Sequence, residues 1–168
     1  MRIRAERPTD LQAIREINEQ AFGRKLEADL VDAIRASERF VPELSLVAEE
    51  GEELVGHVLL SYVDLEPGSH QILQLGPLAV RPPQQRRGVG TALMTEALRL
   101  AEERAEPMVM IEGNPAYYGR FGFRRSQELD IEPPPGVEAK YFMVRTLRAY
   151  DAALRGRAVY SEAFRTVT

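Results

Sequence analysis

The stretch Leu78-Ala-Val-Arg-Pro-Pro-Gln-Gln-Arg-Arg-Gly-Val-Gly-Thr-Ala-Leu93 constrains the fold more than any other part of this 168-residue chain. It reads as a buried strand, a short turn and a helix that starts at two closely spaced glycines. Gly88 and Gly90 let the backbone turn sharply and approach a ligand without a side chain in the way. The first amides of the helix have no intrahelical acceptor and sit at the positive end of its dipole. An anion such as a phosphate fits there, and Arg86 and Arg87 add charge beside it. A turn whose glycines serve chain reversal alone is the competing reading. A P-loop is excluded, because it needs Gly-x-x-x-x-Gly-Lys-Ser/Thr. A dinucleotide fingerprint needs a third small residue where Leu93 stands.

Composition narrows the class. The length predicts one domain over residues 1–168 with a sizeable core. Apolar residues at 44% and charged residues at 29% are ordinary for a globular protein. The net charge of −4 is scattered, so no basic face argues for nucleic acid. There is no cysteine, which excludes a disulfide framework, a thiolate metal site and a cysteine nucleophile. The two histidines, His57 and His70, are too few and too separated for a metal centre. The chain opens on Met-Arg-Ile-Arg without the apolar run of a signal peptide, and no stretch approaches the roughly 20 apolar residues of a membrane span. These features predict a cytoplasmic protein without membrane partners.

Patterning supplies the other elements. A first strand over Arg2–Glu6 precedes a helix capped by Thr9, with Gln12 at capping-box spacing and Leu11, Ile14, Ile17 and Ala21 inward. A second helix covers about Lys25 to Glu38, with Leu26, Leu30 and Ile34 inward. Leu44–Ala48 and Glu53–Val63 flank Glu50-Gly51-Glu52 as a hairpin. Gln71–Val80 is a long apolar strand in which Pro77, lacking an N–H, marks an edge, bulge or splayed point. The helix from Gly88 to about Glu106 presents Val89, Ala92, Leu93, Ala97, Leu100 and Ala101 on one face. Met108–Ile111 is a short strand, Pro115 to about Phe121 a short helix, and Lys140–Leu147 the last strand. Residues 148–168 are expected to form a further strand or packed arm around Val159, Tyr160 and Phe164. The order of helices and strands gives an α/β (α+β) domain with a mixed sheet.

Two segments carry a resemblance to a known family. Gln85-x-x-Gly88-x-Gly90, after a strand ending Leu78-Ala79-Val80, resembles the acyl-CoA pyrophosphate loop of the GNAT acetyltransferase superfamily. Gly113-Asn114-Pro115-Ala116-Tyr117-Tyr118-Gly119-Arg120-Phe121-Gly122-Phe123 looks like that family's closing helix, with Tyr118 four residues before Gly-Phe. The Gly-Asn-Pro-Ala-Tyr-Tyr form and the tail Val-Tyr-x-x-Ala-Phe look most like the YhbS-like branch of predicted N-acetyltransferases.

The resemblance implies a mixed, mostly antiparallel central sheet with a splayed strand pair, flanked by helices. It implies acetyl-CoA as co-substrate, a primary amine as acceptor, and no metal. Leu78, Ala79 and Val80 would pair with the pantetheine arm by strand addition, and the Leu78 amide would also meet the thioester oxyanion. The Gln85, Arg86, Arg87, Gly88, Val89, Gly90 and Thr91 segment would take the pyrophosphate, Gln85 by family position alone. Tyr118 would give a proton to the departing thiolate; the alternative is that Tyr117 and Tyr118 only pack the short helix. Asn114 reads as a helix cap before Pro115, with a cofactor contact as its second reading. Glu112, His57, and Gln74 with a bound water are the candidates for a general base; Glu112 suits the role if it is partly buried and otherwise is a carboxylate at a solvated strand end, His57 reads also as a core histidine, and deprotonation through ordered water with no single base is the alternative. A non-catalytic acyl-CoA-binding sensor is the rival function, and either a monomer or a homodimer fits.

Overall fold

A computed structural model describes residues 1–167. β1 (Arg2–Ala5) leads through a 3-10 turn at Pro8–Asp10 into α1 (Leu11–Phe22) and α2 (Leu26–Arg35). β2 (Phe40–Glu50) and β3 (Glu53–Glu66) form the expected hairpin, and β4 (His70–Val80) follows. Next come α3 (Val89–Glu103), β5 (Met108–Glu112) and α4 (Pro115–Tyr118). The short strands β6 (Arg124–Arg125) and β7 (Ile131–Glu132) precede β8 (Phe142–Thr146), β9 (Gly156–Val159) and α5 (Glu162–Val167). The strands belong to one mixed sheet with the order β1-β2-β3-β4-β5-β8-β6, and β9 pairs with β3 and β7. The fold is therefore the mixed, mostly antiparallel α/β arrangement expected.

The chain divides into two compact units. The first comprises Met1–Ser61, Gly76–Leu100 and the segment from Glu162 on. Here β1 runs antiparallel to β2 from Arg2↔Glu49 to Ala5↔Leu46, and β2 antiparallel to β3. Ile14, Ile17, Val31, Ile34, Leu46, Val58, Leu93, Met94 and Ala97 fill its core. The second comprises Tyr62–Leu75 and Ala101–Ser161. In it β5 lies antiparallel to β8 over five residue pairs from Met108↔Thr146 to Glu112↔Phe142. The parallel register of β4 with β5 covers Leu73↔Val109 and Gln74↔Met110. The end of β3 pairs with β9 through Asp64↔Val159, Leu65↔Ala158 and Glu66↔Arg157. Val63, Leu65, Leu73, Met110, Phe142 and Val144 are its buried centre.

Several local expectations are corrected. Thr9 does not cap the first helix; Asp10 stands at its N-cap without a side-chain cap bond, and its carboxylate instead closes the preceding 3-10 turn by accepting from the Arg7 N–H at 2.7 Å. Arg4 on β1 grips the same carboxylate at 2.7 Å, a charge-assisted bond that a threonine hydroxyl cannot match. That guanidinium holds the Asp10 carboxyl below the usual carboxylate range. Gln12 instead donates to Glu16 at 3.1 Å. Leu11 is exposed, and α2 buries Ala28, Val31 and Ile34 rather than Leu26 and Leu30. α3 stops at Glu103, where Ala105 takes a left-handed conformation ahead of Pro107. β8 is not the last strand. The tail supplies both β9 and α5, and the latter packs on α2 within the first unit.

Candidate active site

The glycine turn is held by main-chain and side-chain ties within the first unit. As the chain leaves β4, the Arg81 N–H donates to the Val55 carbonyl at 2.8 Å. Its guanidinium reaches the Leu54 carbonyl at 2.7 Å and Gln20 Oε1 at 2.9 Å. A 3-10 turn at Pro82–Gln84 follows, and Gln85 Nε2 then donates to the Val80 carbonyl at 3.0 Å. Gln85 thus braces the loop against the strand that feeds it. Arg86 and Gly88 both take positive φ, 63° and 85°, which turns the chain into α3. The Ala92 N–H bonds the Gly88 carbonyl at 3.0 Å, so the amides of Val89, Gly90 and Thr91 precede the helical ladder. Gly88, Arg86, Arg87 and Thr91 are exposed, whereas Val89 turns inward and is buried.

Val89 marks a close packing that the sequence did not disclose. A Cβ at Gly56 on β3 would lie 2.9 Å from Leu93 Cδ1, 2.9 Å from Val89 Cγ1 and 3.3 Å from the Ala79 carbonyl oxygen. The absence of a side chain at Gly56 therefore lets β3, the end of β4 and the first turn of α3 meet. Leu78 and Val80 are partly exposed on either side of buried Ala79, as strand alternation requires.

The second unit brings Glu112, Asn114 and Tyr118 together at the end of β5. The Gly113 N–H is held by the Tyr141 carbonyl at 2.8 Å. Asn114 caps α4, its Oδ1 accepting from the Ala116 N–H at 2.9 Å. The short helix folds the Tyr118 ring back over Gly113, where any Cβ would collide with ring atom Cε2 and lie 2.8 Å from Cδ2. Tyr118 also meets the rings of Tyr117 and Phe123 edge-on, at centroid distances of 4.9 and 6.2 Å. Burial, and secondarily Tyr117, push its phenol up to about 12. Tyr118 stays protonated throughout neutral pH and is a donor.

Glu112 is exposed, yet its carboxylate is engaged: the Tyr160 hydroxyl donates to Oε2 at 2.6 Å. Gln74, only 4% exposed, donates in turn from Nε2 to the Tyr160 oxygen at 3.1 Å. Burial first, then the carboxylate, raise the Tyr160 phenol well above its ordinary range. Tyr160 entered the sequence reading only as a packing residue. It stands 48 positions from Glu112, and no local pattern links them.

His57 lies elsewhere, in the core of the first unit. It is fully buried between Asn18 Nδ2, 3.2 Å from Nδ1, and Ser45 Oγ, 3.0 Å from Nε2. Desolvation, and then Arg35, lower it to about 3, so it is a neutral structural side chain. Among the described residues no group of acidic, histidine or cysteine side chains is arranged to hold a metal ion, and no helix is long and apolar enough to cross a membrane.

A braced glycine turn opens α3 in the first unit, and in the second a tyrosine folds over Gly113 after a short strand. The profile of the Acetyltransferase (GNAT) family matches residues 11–123, and the chain belongs to that family. It is 33% identical over 158 residues to the uncharacterized N-acetyltransferase YhbS of Escherichia coli, spanning 93% of this chain and 92% of that one. The crystal structure of Escherichia coli YhbS in complex with CoA superposes with a TM-score of 0.87 at 32% identity, covering 98% of this chain and 91% of the other. A GNAT family acetyltransferase from Brucella melitensis in complex with acetyl-CoA gives a TM-score of 0.81 at 31% identity, covering 97% of each chain.

Proposed function

We propose that this protein transfers the acetyl group of acetyl-CoA to a primary amine by direct attack on the thioester. The observation that carries the reading is the first turn of α3, whose amides stand ahead of the helical ladder in a chain of this family. The CoA and acetyl-CoA complexes of the two relatives support the same donor.

In this reading the amides from Arg86 to Thr91 and the Arg86 and Arg87 side chains take the pyrophosphate, and Gln85 holds the turn in shape. The backbone of Leu78, Ala79 and Val80 pairs with the amides of the pantetheine arm. The Leu78 N–H stabilises the developing oxyanion, a role closed to Pro77. Asn114, having used its Oδ1 as a cap, offers its side-chain N–H groups to the same ligand. The amine nitrogen bonds to the carbonyl carbon and loses a proton, the carbon–sulfur bond breaks, and sulfur gains a proton to leave as the thiol. A phenol raised to about 12 does not give up its proton freely to a thiol of about 8.5, so Tyr118 acts by hydrogen bonding to sulfur as charge develops.

The test is calorimetric titration with acetyl-CoA, CoA and ATP, followed by thiol release against a panel of amines. Acetyl-CoA is expected to bind where ATP does not, with amine-dependent thiol release. Tyr118→Phe should lower turnover ~100-fold or more while acetyl-CoA affinity changes less than about twofold. Unchanged turnover removes the acid role, and failure of acetyl-CoA to bind refutes the proposal.

A further inference from the structure

The segment between β4 and the glycine turn has few means of fixing itself to its surroundings. Pro82 and Pro83 carry no N–H, so neither can be pinned to a neighbouring carbonyl. The Gln84 and Gln85 N–H groups bond the Arg81 and Pro82 carbonyls, inside the turn itself. Among the described residues, hydrogen-bonded attachment of this segment to other elements of the first unit runs through Arg81. Its N–H donates to the Val55 carbonyl, and its guanidinium divides between β3 and α1. Nε donates to the Leu54 carbonyl at 2.7 Å, and Nη1 to Gln20 Oε1 at 2.9 Å. The side chain is only 13% exposed, whereas the α1 groups that meet it lie on a solvated row. That row has four-residue spacing, which aligns side chains on one helix face. Gln12 donates to Glu16 at 3.1 Å, Glu16 lies 3.9 Å from Arg81 Nη2, and Gln20 follows one turn later. Glu53, 4.0 Å from Nε, balances the charge from the β3 side. Three residues beyond Gln20, α1 ends at Gly23, whose left-handed cap is a bond from its N–H to the Glu19 carbonyl at 2.9 Å.

We infer that Arg81 is a positioning residue for the donor-binding turn and that, through Gln20, it couples the C-terminal end of α1 to acetyl-CoA. The inference rests on the acetyl-transfer reading above. Arg81 stands four residues before Gln85, and the fixed φ of the two intervening prolines passes any movement of Arg81 along the chain. The guanidinium serves Leu54 and Gln20 together because its donors leave in fixed directions, whereas an ammonium is a single point charge. Loss of either bond lets the turn relax away from the conformation that presents the first amides of α3 together. Coupling between two sites is reciprocal. A ligand that fixes the turn therefore fixes Arg81, and with it Gln20 and the last turn of α1.

The test uses the full chain and acetyl-CoA. Arg81→Met keeps the aliphatic stem and loses the donors, and calorimetry should show affinity weakened ~10-fold or more. Arg81→Lys should be weakened nearly as much, because it keeps the charge without the forked geometry. Gln20→Leu alters no charge at an exposed position, so it remains informative even if the Arg81 variants fail to fold; it should lose affinity by about two- to fivefold. Hydrogen exchange supplies a readout that general destabilisation does not move. Acetyl-CoA should slow exchange at the amides of residues 20–23 in the wild type and leave it unchanged in Gln20→Leu. Full affinity in Arg81→Lys would show that charge alone acts and overturns the inference. So does unchanged affinity in Gln20→Leu, or wild-type exchange at 20–23 that is indifferent to bound acetyl-CoA. A wild type that does not bind acetyl-CoA is a separate result, which removes the underlying reading and the inference with it.

Discussion

His57 shows how burial selects a charge state. Ser45 donates its hydroxyl proton to Glu6, so it accepts from His57 Nε2–H, while Asn18 donates to Nδ1. The neutral Nε2 tautomer satisfies both contacts, and protonation would put a second proton where Asn18 already donates. The native pKa of about 3 lies far below the ordinary 6.5, so the unfolded chain binds a proton in that window and the native one does not. Stability from this site is full above pH 6.5 and falls as pH drops toward 3, by up to about 1.4 kcal/mol per pH unit. His57→Gln keeps one donor and one acceptor but cannot titrate. Urea unfolding of both proteins at pH 7, 6 and 5 should show a shallower loss of stability in the variant. Parallel losses would mean that His57 does not titrate differently on folding.

At the scale of elements, the α3 turn depends on a residue outside its own motif. Gly56→Val places methyl groups against Leu93 and Val89, whose ends can shift, and against the Ala79 carbonyl, which cannot. Overpacking of this kind costs about 1–3 kcal/mol. The displaced first turn should weaken acetyl-CoA binding as well as lower the urea midpoint. A lowered midpoint with unchanged affinity would show that Gly56 supports the core without placing the loop. The β2–β3 hairpin, the start of α3 and the Asn114 cap were legible in the sequence because each is written in adjacent residues. Asp10 and Gly56 were not, because each acts through a partner on another element. Asp10 answers to Arg4 on β1, and Gly56 matters only once α3 lies against β3. The candidate site divides the same way. The glycine turn and Tyr118 lie in contiguous motifs, whereas the bond from Tyr160 to Glu112 exists only after β9 has paired with β3. Hydrophobic periodicity likewise placed α2 but not its inward residues, since Leu26 and Leu30 fit the helical repeat as well as Ala28 and Val31 do.

For the whole molecule, three of the four boundaries between the two compact units, 61/62, 75/76 and 100/101, fall inside β3, β4 and α3, and only 161/162 lies between elements, after β9 and before α5. Domains that unfold separately are normally joined through exposed, flexible segments, so we expect one cooperative transition. The chain offers a means to test this. It has no tryptophan, and its six tyrosines (Tyr62, Tyr117, Tyr118, Tyr141, Tyr150 and Tyr160) all fall in the second unit. Tyrosine fluorescence therefore reports that unit alone, while far-ultraviolet circular dichroism reports helices and strands of both. Thermal melts followed by the two signals should coincide within error. Acetyl-CoA at 100 times its Kd should add about 2.7 kcal/mol, which for a chain of this size is an upward shift of roughly 5–10 °C. The glycine turn lies in the first unit and every tyrosine in the second, so the ligand should move both signals equally. A dichroism transition that rises with acetyl-CoA while tyrosine fluorescence melts at its old midpoint would show that the two units unfold independently.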